Sequence, residues 1–135
     1  MDLQKAMFIS TAGLKVQNTR LRVIYENIAN KDSMSAGPDG TPYRRKVVNF
    51  QNQLDREMGV RTPVVRKIGF DNSAFGTKYD PGNPGADEKG YVRTTNVNGL
   101  IEMMDMSQAQ RSYKSNINAL EASRKIASMT LELLR

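Results

Sequence analysis

LRVIYENIANKDS (residues 21–33) closes a long stretch free of helix breakers and ends on two asparagines three apart, Asn27 and Asn30, with Ile28 and Ala29 between them. Asn is a modest helix former and a good terminator. Its amide competes for local backbone groups, and it tolerates the left-handed conformation at a helix end. Residues 3–30 hold no Pro and a single Gly, Gly13, whereas Gly37, Pro38, Asp39 and Gly40 just beyond them spell a turn. The same contrast divides the whole chain. Residues 37–99 hold all five prolines and nine of the ten glycines, and residues 100–135 hold neither. The sequence therefore predicts an α+β chain of three parts: an N-terminal helix within 1–32, an irregular β-containing middle over 33–99, and a C-terminal helix within 100–135.

Both ends carry apolar residues at helical spacing. In the first, Met7, Leu14, Leu21 and Ile28 recur every seven residues, with Leu3 and Ile24 beside them. A second row, Ile9, Val16 and Val23, keeps the same step about 200° round the helix. A helix lying on one core needs one apolar face, so two faces predict several neighbours. In the second end, Met103, Met106, Tyr113, Ile117, Leu120, Ala127, Leu131 and Leu134 share one broad face, and Ala119, Ala122, Ile126, Met129 and Leu133 adjoin it. At 1.5 Å per residue the helices span about 42 and 52 Å. A compact chain of this length has a diameter of only roughly 37 Å. The expectation is an elongated antiparallel coiled-coil pair whose exposed stripes are covered by assembly.

The middle predicts strands over 43–51, 63–70 and 91–97, from β-branched and aromatic runs such as YRRKVVNFQ. KYDPGNPGADEKG (78–90) is dense in turn formers and too polar to carry a core. It lacks the GK[ST] ending and strand–helix frame of a phosphate loop. Asp71, Asp80, Asp87 and Glu88 do not follow the ligand spacing of a calcium loop. Arg44, Arg45 and Lys46 form a basic triplet, too short for a nucleic-acid signal. These cations are candidates either to pair with carboxylates of a neighbouring subunit or to protect a strand edge by charge.

Composition narrows the chemistry. The 135 residues include no His, Cys or Trp. That removes disulfides, thiolate chemistry, the commonest general base and the commonest transition-metal ligand. Net charge is +6, but the basic residues are spread along the chain without interleaved aromatics. No apolar run is long enough to span a membrane, and MDLQKAMFISTAGLKVQ, with Asp2 and Lys15, is not patterned as a secretory signal. Of the eight Met residues, Met7, Met103, Met104, Met106 and Met129 lie on the helices, where adaptable side chains suit interfaces. No catalytic, cofactor or metal residue is singled out.

ISTAGLKVQNTRLRVIYENIANKDS (9–33), with Asn27, Ile28, Ala29 and Asn30 as its ending, resembles the signature of bacterial flagellar basal-body rod proteins. GPDGTPYRRKVVNF (37–50), YDPGNPGADEKGYV (79–92) and NVNGLIEMMDMSQAQRSYKSNINAL (96–120) extend that resemblance over the whole chain, toward the proximal-rod members. Tyr25 and Glu26 depart from the smaller residues common there.

The resemblance implies a structural protein rather than an enzyme. It implies terminal helices polymerising helically into a hollow, torque-transmitting shaft across the periplasm. Subunits would leave through the flagellar type III export apparatus without a cleaved signal. Partners would be other copies, other rod proteins and the adapter at the MS ring, with no cofactor, nucleic acid or small-molecule substrate. The apolar rows named above, Leu3 to Ile28 and Met103 to Leu133, would be subunit interfaces, with termini largely disordered before assembly. The alternatives are another rod or hook subunit, a basic nucleic-acid-binding coiled coil, and a small carboxylate enzyme.

Overall fold

A computed structural model of the chain describes residues 2–35 and 40–133. The turn expected at Gly37–Pro38–Asp39 and the stripe residue Leu134 lie outside the described residues. The elements run α1 (Leu3–Ala29), β1 (Lys46–Asp55), β2 (Val60–Phe70), β3 (Gly76–Tyr79), β4 (Tyr91–Thr94) and α2 (Gly99–Leu133). The α+β class expected from breaker distribution is what forms. Asp2 opens α1, its Oδ1 accepting from the Gln4 N–H at 3.1 Å. Asn98 opens α2 in the same way, through the Leu100 N–H at 3.0 Å.

Two compact units partition the chain. The first contains the chain up to Leu21, Val48–Lys67, and the chain from Met106 onward. Here β1 and β2 pair, joined by residues 56–59. So short a connection links only antiparallel neighbours. Asp55 Oδ1 accepts from the Glu57 and Met58 N–H groups, and Gly59 closes the turn at φ 64°. β1 reaches past the predicted Gln51 because this turn, rather than local propensity, sets its end. Between α1 and the hairpin lies a groove of about 720 Å³, lined in part by Phe8, Ala12, Val16, Leu54, Pro63 and Val65. The helices approach closely in this unit. A Cβ added to Gly13 would stand 2.8 Å from Asn116 Nδ2. One heptad on, Arg20 Nη2 donates to Gln108 Oε1 at 2.9 Å.

The second unit contains Arg22–Val47 and Ile68–Asp105. Its small sheet pairs β3 with β4 antiparallel, Gly76 opposite Thr94 and Tyr79 opposite Tyr91. The two tyrosine rings meet edge to face at 5.3 Å. Met34 bridges Thr94 on the other side, and Val92 at the centre is fully buried. β3, absent from the sequence reading, is four exposed residues held in place by its partner strand. The strand predicted over 91–97 stops at Thr94, because Thr95 Oγ1 turns away to donate to the Lys31 carbonyl at 2.7 Å. The turn-rich connection is tied by Asp87, whose Oδ1 accepts from the Lys89 and Tyr91 N–H groups. Gly90 beside it has φ 79°, and a Cβ there would lie 2.9 Å from the Tyr79 ring.

Gly90→Ala is therefore strained twice, by conformation and by contact. It should cost about 1–2 kcal/mol, whereas Gly82→Ala, with open space around it, should stay within about 0.5 kcal/mol. Tyrosine fluorescence in a urea titration measures both, and equal stabilities would contradict the assignment.

Candidate functional site

The Asn–Ile–Ala–Asn ending of α1 meets the opening of β1 and the first turn of α2 inside the second unit. Asn27 is 1% exposed. Its Oδ1 accepts from the Tyr43 hydroxyl at 2.8 Å and from the Lys46 N–H at 2.9 Å. Its Nδ2 donates to the Lys46 carbonyl at 2.9 Å and to Glu102 Oε2 at 3.1 Å. The amide thus uses both faces in full. It pairs with the Lys46 backbone as a strand neighbour would, and so holds the end of α1 to the beginning of β1.

Glu102 is completely buried, and a buried carboxylate is tolerated only with partners for both oxygens. Oε2 takes Asn27, and Oε1 takes Arg45 Nε. Arg45 spreads its remaining nitrogens over Asp105 Oδ2 at 3.2 Å and Asp71 Oδ2 at 3.5 Å. Burial works against the Arg45 charge, but hydrogen bonds and charge from Glu102, Asp105 and Asp71 outweigh it and hold the group above its ordinary pKa. The Ser73 N–H and hydroxyl, then Arg45, hold Asp71 below the usual carboxylate range. Lys46 Nζ reaches Glu26 Oε2 at 2.9 Å, and that bond raises its pKa. Desolvation raises the Tyr43 phenol, the form in which it donates to Asn27.

The triplet Arg44–Arg45–Lys46 carried two expectations, pairing with carboxylates of a neighbouring subunit or protection of a strand edge by charge. The partners found lie in the same chain, Glu102, Asp105 and Asp71 for Arg45 and Glu26 for Lys46. Arg44 instead donates to the Asp71 and Ser73 carbonyls and lies 4.2 Å over the Phe75 ring. Asn96 completes the enclosure, accepting from the Arg45 N–H at 2.7 Å and donating to the Asp71 carbonyl.

Asn30 serves the helix end itself, its Nδ2 donating to the Glu26 carbonyl at 2.8 Å. The left-handed conformation expected of a terminating Asn is not used. Among the described residues no non-Gly residue has positive φ, and the chain leaves α1 through turn bonds from Lys31 to Ile28 and from Ser33 to Asn30. Ala29 is exposed and Ile28 half-buried.

The helical rows are unequally covered. Val16, Val23 and Ile24 are buried, whereas Leu3, Met7, Leu14, Leu21 and Ile28 are half-buried and Ile9 is exposed. On α2, Met106, Tyr113, Ile117 and Leu120 are half-buried. Met103, Ile126, Met129 and Leu133 are exposed, Leu133 by 87%. Glu102 was missed by sequence reasoning. The available signal was its spacing: Glu102, Met106, Ala109, Tyr113, Asn116 and Leu120 alternate steps of four and three, so a charge stands in a row of heptad-like spacing.

Removing either end of the buried pair is unequal. Arg45→Met leaves Glu102 charged in a closed site and should cost about 3 kcal/mol. Glu102→Gln leaves Arg45 with Asp71 and Asp105 and should cost about 1 kcal/mol. Urea denaturation followed by tyrosine fluorescence ranks the two, and the reverse order would be inconsistent with this geometry.

Residues 88–133, which take in β4 and α2, match the family model described as flagellar basal body rod FlgEFG protein C-terminal. The whole chain is similar to flagellar basal-body rod protein FlgC of Agrobacterium fabrum, 47% identical over 133 residues, or 98% of this chain and 96% of that one. It is 40% identical to FlgC of Salmonella typhimurium, over 98% of each chain. It is 38% identical to FlgC of Aquifex aeolicus, over 98% of this chain and 97% of the relative. Similarity of this degree runs through both helices and the segment between them, and by it the chain belongs to the family of flagellar basal-body rod protein FlgC.

Proposed function

We propose that this chain is a structural subunit of the flagellar basal-body rod, polymerising through its terminal helices into the torque-transmitting shaft. The observation that carries the reading is the set of exposed large apolar residues along α2. Met103, Met104, Ile126, Met129, Leu131 and Leu133 are each more than half exposed on one continuous helix of 35 residues. Apolar surface returns about 25 cal/mol per Å² when covered, so such a helix gains stability from each neighbour it acquires.

An antiparallel pairing of α1 and α2 is the finer part of the proposal. It is supported within the first unit, where an advance of seven residues from Gly13 to Arg20 matches a retreat of eight from Asn116 to Gln108. In the second unit Asn27 meets Glu102. On this reading 1–32 and 100–135 form the coiled-coil layer and 33–99 decorates it. Paired helices suit torque, because their hydrogen bonds lie along the axis and close-packed seams resist sliding. Other copies, other rod proteins and the adapter at the MS ring would cover the remaining stripes, in a rod that crosses the periplasm after type III export. The nucleic-acid reading is weaker, since Arg45 and Lys46 are already engaged by carboxylates of this chain.

In cells lacking the native copy, Ile126→Asp combined with Met129→Asp should leave the folded chain intact, since both positions are exposed, yet abolish swimming and leave basal bodies without a complete rod. Wild-type swimming by the double variant would sink the proposal. The unpartnered end of α2 should also order only on assembly. Hydrogen exchange of the dilute chain should be fast beyond about residue 120 and slow around Glu102, and uniform protection along α2 would contradict this.

A further inference from the structure

We infer that the Asn27–Glu102–Arg45 cluster selects the register of the α1–α2 pair, an inference that rests on the antiparallel pairing proposed above. The heptad-repeating apolar rows of α1 choose register poorly. The buried residues Val16 and Val23 are identical and seven apart, with Ile9 a further seven back. Sliding α1 by one heptad puts Val16 where Val23 stood and Ile9 where Val16 stood, so among the buried apolar positions of α1 only the exchange of Ile24 for Gln17 registers the slip. The half-buried row Met7, Leu14, Leu21, Ile28 repeats at the same interval and discriminates no better.

The polar groups do discriminate. In the slipped register Arg20 takes the place of Asn27 opposite Glu102. Arg20 offers the carboxylate a charge, but it has no acceptor for the Tyr43 hydroxyl or the Lys46 N–H, which Asn27 Oδ1 receives together. The Lys46 carbonyl likewise loses the Asn27 amide. Arg45 would then share the buried Glu102 with a second cation. A buried polar group left unmatched is costly whereas a matched one is nearly neutral, so the cluster penalises the wrong register more than it stabilises the right one.

Disulfide trapping tests this on the full-length chain, which has no native Cys to interfere. Gly13→Cys with Asn116→Cys reports the native register, because these positions are in contact. Gly13→Cys with Ala109→Cys, combined with Asn116→Ala to make room for the new side chain at position 13, reports the register slipped by one heptad. With the cluster intact, only the 13–116 bridge is expected on mild oxidation. In Asn27→Leu/Glu102→Leu, the 13–109 bridge should rise by roughly tenfold or more, the ratio that one unmatched buried polar group is worth. Glu102→Gln, which keeps an oxygen for Asn27 and a neutral neighbour for Arg45, should retain the 13–116 bridge alone and shows that the site still folds when altered. A double leucine variant that forms only the 13–116 bridge, at full yield, overturns the inference. So does one that forms neither bridge, since the cluster would then hold the helices together rather than choose between registers. Failure of the 13–116 bridge with the cluster intact would instead overturn the pairing on which the inference rests.

Discussion

A fully buried carboxylate is the constraint around which the second unit is arranged. Glu102 cannot be left without partners in a closed site, because an uncompensated charge there costs more than most single contacts return. Its two oxygens recruit Arg45 and Asn27. Arg45 must then arrive from the segment just before β1, and Asn27 from the last turns of α1. Three parts of the chain far apart in sequence converge because one side chain requires them. Asp71, Asp105 and Asn96 form the next ring, neutralising Arg45 and satisfying its backbone. A network of this kind contributes little net energy against an apolar alternative of equal volume. What it does contribute is intolerance of rearrangement, since every member loses its partners together.

Glycines and turns shape each unit separately. Gly13 has no side chain where α1 meets Asn116, and this permits the close helix approach in the first unit. The Asp87 turn and Gly90 bring β4 back against β3, and Val92 at the centre of that ribbon is buried. Thr95 then leaves the strand to hold the Lys31 carbonyl, and Asn98 starts α2 so that Glu102 falls in its first turns.

Much of this was legible in the sequence, and the gaps have physical causes. The helices were readable because breakers are absent from both ends; α1 runs Leu3–Ala29 and α2 begins at Gly99. Asn27 and Asn30 stood out because two terminators are more than one helix end needs; the surplus amide belongs to β1. β3 was invisible because Gly76–Tyr79 is exposed and held only by pairing with β4, a long-range contact that no local pattern records. Glu102 was hidden for the opposite reason: between Ile101 and Met103 it looks like any solvated charge on a helix. Only its heptad position separates it from Glu121 or Glu132, and that distinction has meaning only once the seam is known. The destination of Arg44–Lys46 was equally undetermined, because spacing shows that cations seek carboxylates and not which molecule supplies them.

The division between polar and apolar groups follows from what a polymerising subunit requires. Among the described residues the buried apolar side chains are few, Val16, Val23, Ile24, Pro42, Val92 and Ala109, while large apolar residues along α2 face outward. A chain that closed a large core of its own would leave little to bind a neighbour. A chain that relied on periodic apolar stripes alone would pair its helices in several registers of similar energy, and a misregistered subunit would present its stripes at the wrong height. Specificity within the chain is therefore best carried by groups that cannot tolerate a slip, and affinity between chains by groups that can adapt. Asn27, Arg45 and Glu102 are of the first kind. In the reading proposed above, the exposed Met103, Ile126, Met129 and Leu133 are of the second.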